Sequence, residues 1–272
     1  MSKQTRDFMH PDKWKDKFNK DNVVHLYCTN REVAERNIHC IKSVNNPIVQ
    51  INAEHTGKGS IASSNQSNGL EKRVYLCIDA KIVLTKNLLQ TAGLCNGTTG
   101  IVKDIIFDDE KNAPGLCSCV VVDFGSSYTG ESFFENDETK KGWVPIFPST
   151  VEWDTVANDT RVSHSRTMIP LRLSYAFTIW KSQGQTFRDK IVISLTDKEK
   201  EHGLTYTAFS RVTRSSDIGI SGGFYRKRLT DEVANQKLMK DRLLEERKLK
   251  NYTIKETLRY LNNMDPIPYY QG

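Results

Sequence analysis

The chain has 272 residues, 38% of them hydrophobic and 26% charged, with 39 Lys plus Arg against 33 Asp plus Glu for a net charge of +6. That length suggests about two domains, the apolar content suffices for real cores, and the basic excess fits a polyanion partner without requiring one. No apolar run approaches the ~18 residues of a membrane span, and the polar N-terminus has no h-region, which argues against a spanning helix or a secretory leader.

The cysteines, Cys28, Cys40, Cys77, Cys95, Cys117 and Cys119, have no CxxC spacing, and the histidines have no HExxH spacing. No metal site is expected, and the thiols are expected to stay reduced in a nuclear, mitochondrial or cytoplasmic setting, not in a secreted one.

In chain order, Met1 to Asp21 is charged, with little periodicity beyond Phe8, Trp14 and Phe18, and reads as a short helix or an irregular start. Val23 to Cys28 reads as a strand. Thr29 followed by Glu32 has capping-box spacing, so a helix is expected next, with Val33, Ala34, Asn37, Ile38 and Ile41 on one stripe. Ile48 to Ile51 reads as the following strand, giving a β-α-β opening of doubly wound type. From Glu54 to Gly69 the composition shifts to Gly, Ser, Asn and His, and a loop or domain boundary is expected there.

Short β segments then follow at Val74 to Ile78, Ala80 to Thr85, Gly100 to Phe107, Cys117 to Phe124 and Trp143 to Phe147. Turn signals stand at Asn96-Gly97, Pro114-Gly115 and Gly125-Ser126, and the spacing suggests a small barrel. Ser127 to Lys141, polar and acidic with Phe133-Phe134, reads as a long hairpin or loop. Beyond Val151 the chain passes through polar Asp154 to Ser165 and re-enters mixed α/β structure at Thr167. The β unit is therefore expected to be inserted between two halves of an α/β domain. At the C-terminal end, charged Asp231 to Lys250 carries Val233, Leu238, Leu243 and Leu249 on a loose stripe. Thr253 and Glu256 repeat the capping-box spacing, and two terminal helices are expected.

Two stretches carry the chemistry: LRLSYAFTIWKSQGQT from Leu171 to Thr186 and LTYTAFSRVTRSSDIG from Leu204 to Gly219, with the apolar run Ile191 to Leu195 between them. In Lys181-Ser182-Gln183-Gly184 the lysine supplies a charge for a phosphate, serine and glutamine supply short and long hydrogen bonds, and glycine permits close backbone approach. Ordinary loops have the same composition, so the tetrapeptide alone does not decide for a site.

These stretches resemble motifs V and VI of the superfamily 1B DNA helicases, the petite-integration-frequency and RecD-like group that moves 5′ to 3′, whose motifs read PLRLAxAxTIHKSQGxT and YVALSRxxxxxGL. Lys81 to Val102 is similar to the segment opening that family's SH3-like insert, and Val23 to Asn37 to the first strand and helix of its second motor domain. Blocks in the family's order across Val23 to Gly223 make the likeness far more specific than any one of them.

The resemblance implies an α/β fold. Its core would be a RecA-like (P-loop-NTPase-like) parallel sheet of the second motor domain, with an inserted small SH3-like β-barrel and C-terminal helices. It places the first half of that domain at residues 22–69, the insert at 70–150, the second half at 151–225 and a helical extension at 226–272. It implies an ATP-dependent DNA helicase and puts Arg211 at the motif VI arginine finger that reaches the nucleotide γ-phosphate, a task suited to a permanently charged planar fork. Gln183 and Gly184 would lie at the ATP cleft, and Thr178, Trp180, Lys181 and Ser182 along the single-stranded DNA path. Arg214 reads as a surface charge.

Two departures matter. Trp180 stands where the family has histidine, and either offers a stacking face worth ~1–3 kcal/mol per base or marks a degenerate motif. Moreover, no GxxxxGK[ST] occurs anywhere, and no apolar strand ends in an Asp-Glu pair for Mg²⁺. The expectation is therefore the C-terminal part of a helicase, kept from independent catalysis by the missing phosphate cradle: ATP and Mg²⁺ would be held mainly by an N-terminal motor domain absent from this sequence, and the chain would be monomeric and inactive alone. The alternative is a nucleic-acid-binding or regulatory module derived from such a motor.

Overall fold

The computed structural model describes residue 18 and residues 23–108, 113–134, 137–157, 160–187, 190–195, 203–222 and 236–262. The strands are β1 (Val24–Tyr27), β2 (Val49–Asn52), β3 (Glu54–Thr56), β4 (Arg73–Leu76), β5 (Lys81–Leu84), β6 (Thr99–Ile106), β7 (Cys119–Asp123), β8 (Trp143–Ile146), β9 (Ser149–Ala157), β10 (Thr160–Met168), β11 (Leu171–Leu173), β12 (Ala176–Thr178), β13 (Ile191–Ser194) and β14 (Ile218–Ser221). The α-helices are α1 (Asn30–Ser43), α2 (Leu204–Phe209) and α3 (Gln236–Asn262). The chain divides into two compact units, Met1–Asp197 with Gly203–Phe224, and Lys198–His202 with Tyr225–Gly272.

In the first unit a parallel sheet runs in the order β12-β1-β13-β14. Its strands read as continuous apolar runs because both faces are covered. Ile191 and Ile193 join a core with Leu26, Phe177, Ile179, Leu204 and Ile220, while Val192 meets Phe18 and Val23 on the other face. Helix α1 starts as expected: the Thr29 hydroxyl accepts from the Glu32 amide at 3.3 Å, and Glu32 accepts from the Thr29 amide at 3.1 Å. Buried Asn37 completes the edge strand β12 like a short ladder, donating to the Ala176 carbonyl at 3.3 Å and accepting from its amide at 3.0 Å.

A five-stranded antiparallel sheet, β11-β5-β6-β7-β8, packs around a second core that includes Ile82, Leu84, Val102, Val120, Val122 and Ile146. Strand β5 belongs to both cores, since Val83 packs with the parallel-sheet residues while Ile82 and Leu84 face the other way. This shared strand fixes the β unit against the α/β sheet.

Four expectations need correction. The strand at Ile48 to Ile51 does not extend the parallel sheet: β2 pairs antiparallel with β4, so the opening is not a β-α-β unit. The five expected barrel strands are not one sheet either. β11 replaces β4 as partner of β5, and no closed barrel forms among the described residues. The polar passage Asp154 to Ser165 is instead the β9-β10 hairpin, joined by β3 at Glu54–Thr56, so part of the expected loop is also a strand. Finally, the described C-terminal residues form one helix, not two. Nothing between Gln236 and Asn262 is Gly or Pro, and the Thr253 hydroxyl donates back to the Leu249 carbonyl at 3.0 Å, an arrangement for a helix interior and not a cap. The expected features at Met1 to Asp21, apart from Phe18, and at Val233 lie outside the described residues.

In the second unit α3 carries surface ion pairs at helical spacing, Arg242 with Glu246 at 3.7 Å and Arg259 with Glu256 at 2.8 Å. No helix among the described residues is long and apolar enough to cross a membrane.

Candidate functional site

The site lies where β12 leaves the parallel sheet. After Thr178 the chain makes a 3-10 turn at Trp180–Ser182 and emerges through Gln183 and Gly184. The turn is held by its own side chains: the Thr178 hydroxyl accepts from the Lys181 amide at 3.3 Å, and the buried Ser182 hydroxyl donates to the Ile179 carbonyl at 2.7 Å. Trp180 is half-buried and packs against the parallel-sheet core. Gly184 has φ 77°, a conformation that costs a side chain strain.

Lys181, Gln183, Gly184 and Gln185 line one side of an open cleft of about 350 Å³. The rest of the lining comes from Ser64, Asn65 and Gly69 of the β3–β4 connection, from Thr85 and Asn96 of the β5–β6 connection, and from Arg172 of β11. Close packing seats the β5–β6 turn on the motif V loop, since a Cβ on Gly97 would stand 3.1 Å from Gln185 Nε2.

The cleft carries two cations. Arg172 is half-buried, 4.0 Å from Glu71, and lies 6.0 Å from the Phe177 ring centroid. Lys181 reaches solvent, yet the protein around its stem and the nearby Arg172 charge push its pKa below the ordinary lysine value, with Glu71 opposing. The Thr85 hydroxyl is buried without a hydrogen-bond partner. Two positive charges and several amides suit an anionic polar ligand such as a phosphodiester.

Arg211 sits just beyond α2 and faces the other side of the same loop. Its guanidinium donates to the Ser182 and Gln185 carbonyls at 3.0 Å each, to the Thr207 carbonyl at 2.9 Å and to the Ser210 hydroxyl at 2.9 Å. Its own carbonyl accepts from the Phe187 amide at 2.8 Å, so motif VI and motif V are tied by backbone and side chain alike. Arg214 pairs with Asp217 at 3.1 Å on the surface.

The structure thus brings Lys181, Gln183 and Gly184 to one cleft, although the resemblance assigns them to different ligands. Thr178 and Ser182 are buried in the turn that shapes the loop, and Arg211 braces it. Reading the motifs left Arg172, Gln185, Ser64, Asn65, Thr85 and Asn96 unassigned. The first two stand inside the motif V stretch, where their polarity was a usable signal; the others are joined to it only by tertiary packing. No group of three His, Cys, Asp or Glu side chains among the described residues is placed to hold a metal ion.

Comparison with known proteins agrees with this architecture. Residues 62–105 match the family model described as DNA helicase Pif1, 2B domain. The chain is 29% identical over 149 residues to the ATP-dependent DNA helicase PIF6 of Trypanosoma brucei brucei, covering 55% of this chain and 16% of that protein. It is 31% identical over 127 residues to the ATP-dependent DNA helicase Pif1 of Campylobacter jejuni, covering 46% and 24%. Among solved structures, Pif1 from Bacteroides sp with ADP-AlF4 superposes with a TM-score of 0.57 at 20% identity, covering 90% of this chain and 51% of that one. Pif1 from Candida albicans gives 0.57 at 21% identity, covering 89% and 54%. The chain therefore spans about half the length of these solved structures and a smaller share of the curated relatives. Sequence blocks, family model and fold converge: the chain resembles the C-terminal part of Pif1-like helicases.

Proposed function

We propose that this chain is the C-terminal portion of an ATP-dependent, 5′-to-3′ DNA helicase. Its second RecA-like motor domain would comprise residues 22–69 and 151–225, with an SH3-like insert at 70–150 and a helical extension at 226–272. The cleft beside the motif V loop binds single-stranded DNA. Lys181 and Arg172 meet phosphates, the amides of Gln183 and Gln185 supply further hydrogen bonds, and Trp180 offers its ring for base stacking, while Thr178 and Ser182 hold the turn. The observation that carries this reading is the meeting of Lys181 and Arg172 with Gln183, Gln185, Ser64 and Asn65 in one polar cleft. A Bacteroides Pif1 with the same fold, at a TM-score of 0.52 and 19% identity, was solved bound to single-stranded DNA, which supports the choice of ligand.

ATP and Mg²⁺ fit this chain only in part. Arg211 offers the charge for a γ-phosphate, and Gln183 and Gly184 stand on the loop it braces. On this reading the cradle for the β- and γ-phosphates and the Mg²⁺ ligands would belong to a first motor domain. When bound there, ATP supplies the free energy for stepping along DNA; Arg211 would stabilise charge developing on the transferred phosphoryl group.

Binding of fluorescent oligo(dT) measured by anisotropy across a salt series tests the cleft. Each single-strand phosphate contact adds about 0.7 to the slope of log affinity against log salt, so Lys181→Ala is expected to weaken binding and flatten the slope by about that amount. A slope and affinity matching wild type in Lys181→Ala would remove the cleft from the DNA path. The chain alone is expected to hydrolyse no ATP, with or without single-stranded DNA. Turnover by the pure chain that disappears in Arg211→Ala would overturn this.

One observation favours a second reading, a nucleic-acid-binding module without catalysis: the Arg211 guanidinium is engaged by the Ser182 and Gln185 carbonyls. Mixing the chain with a P-loop-bearing first motor domain separates the two, since only the motor reading predicts hydrolysis that depends on Arg211.

A further inference from the structure

Strand β10 presents His164, Arg166 and Met168 to the interior at a period of two, and two of these inward positions are polar. Arg166 is fully buried, and its partners are backbone carbonyls. Nη1 donates to the Leu70 carbonyl at 2.8 Å, and Nη2 to those of Gly59 and Ala62 at 2.6 Å each, while Nε has no partner. His164 adds a fourth tie, its Nδ1 accepting from the Lys58 amide at 3.0 Å while Nε2 meets the Thr155 hydroxyl at 2.8 Å. The backbone of this segment lies flush on β10. A Cβ on Gly57 would fall 2.3 Å from His164 Nδ1, and one on Gly59 would fall 2.2 Å from the Ser165 carbonyl oxygen.

The clamped segment, Gly57 to Leu70, contributes Ser64, Asn65 and Gly69 to the cleft. Apart from Leu70, which is anchored in the core, most of its other bonds are local turns such as Ser67 to Ser63 and Gly69 to Ser64. A buried guanidinium is costly to desolvate, and a single exchange for an apolar chain would leave three carbonyls without donors. We infer that Arg166 is a positioning residue for the cleft, a buried fork that sets the β3–β4 connection at the height where Ser64, Asn65 and Gly69 complete the lining shared with Lys181. This rests on the reading of the cleft as a DNA site. Arg166 touches no ligand; it acts through the backbone it holds.

The test compares Arg166→Met with wild type by amide hydrogen exchange and by oligo(dT) anisotropy across a salt series. Exchange within residues 58–70 is expected to quicken about tenfold or more, the scale of one lost charge-assisted hydrogen bond, while amides of β13 keep their protection. Affinity is expected to fall by a similar factor with the salt slope unchanged, because no phosphate contact is removed. Unchanged exchange in 58–70, unchanged affinity, or a slope reduced as in Lys181→Ala would each overturn the inference. If Arg166→Met does not fold, the same readouts on Arg166→Lys, which keeps the charge and loses the fork, decide by the same criteria. Failure of wild type to bind oligo(dT) would sink the DNA reading, and the exchange measurement would then decide the clamp by itself.

Discussion

Replacing Arg211 by alanine separates a brace from a finger. A finger waiting for nucleotide points into solvent, and its loss leaves the free protein's stability unchanged. Here the guanidinium makes two bonds to the loop carbonyls of Ser182 and Gln185, one to the Thr207 carbonyl and one to the Ser210 hydroxyl. Hydrogen bonds from charged groups contribute ~1.5–3 kcal/mol when buried, but Arg211 is half-exposed, and water replaces part of each; about 2 kcal/mol is a reasonable sum. In a unit of this size that corresponds to a fall in Tm of about 4–8 °C. Thermal unfolding followed by circular dichroism without nucleotide measures it. Arg214→Ala serves as the control, because the Arg214 side chain is largely exposed and its pairing with Asp217 is screened by water, contributing about 1 kcal/mol or less. If Arg211→Ala melts within about 1 °C of wild type, the brace is refuted and the side chain is free for the finger role.

Burial, aided by Arg36, lowers the His25 pKa from 6.5 to about 4. The unfolded chain therefore takes up a proton first as pH falls, so stability is lost between about pH 6.5 and 4, by ~3 kcal/mol at most. Urea unfolding of wild type and His25→Gln at pH 7.5 and 4.5 should show a smaller pH difference in the variant; an equal difference assigns the effect to other groups. Two glycines should respond differently to alanine. Gly184 has φ 77° with open space around its Cβ position, so Gly184→Ala costs only backbone strain of about 1–2 kcal/mol. Gly59→Ala drives a Cβ to 2.2 Å from the Ser165 carbonyl oxygen and should cost more, with disturbance reaching the cleft wall. Denaturant midpoints of the two variants check the order, and a larger loss for Gly184→Ala would contradict it.

What was legible in the sequence was local or strongly patterned. The Thr29–Glu32 box announced α1 because cap chemistry needs only a four-residue spacing. The apolar runs of β5, β6, β7 and β8 fell close to their expected bounds. The β9-β10 hairpin was missed although its alternation is present: β10 fills inward positions with His164 and Arg166, which read as solvent-facing until their backbone partners are known. Strand β2 was recognised as a strand, but its partner was not, because pairing with β4 is decided by packing across the β3–β4 connection. In the site, the motif identified the loop while leaving the rest of the lining unseen. Ser64, Asn65, Thr85 and Asn96 reach the cleft through tertiary contacts that no short spacing encodes.

The division of labour within the motif V loop follows from burial more than from residue type. Ser182 has a hydroxyl suited to a phosphate, yet that hydroxyl is buried and donates to Ile179; Thr178 is likewise spent on the Lys181 amide. Lys181, Gln183 and Gln185 stand on the cleft side, and Arg211 holds the loop from behind through the Ser182 and Gln185 carbonyls. A substitution at Ser182 therefore changes the shape of the turn before it changes any ligand contact, whereas one at Lys181 removes charge and leaves the turn's backbone bonds in place. Gln185 is the residue where the two roles meet: its side chain lines the cleft and its carbonyl is held by Arg211. A finger that left this carbonyl to reach a phosphate would release the loop at the residue that also borders the proposed DNA site, so nucleotide and DNA would be sensed by the same few atoms.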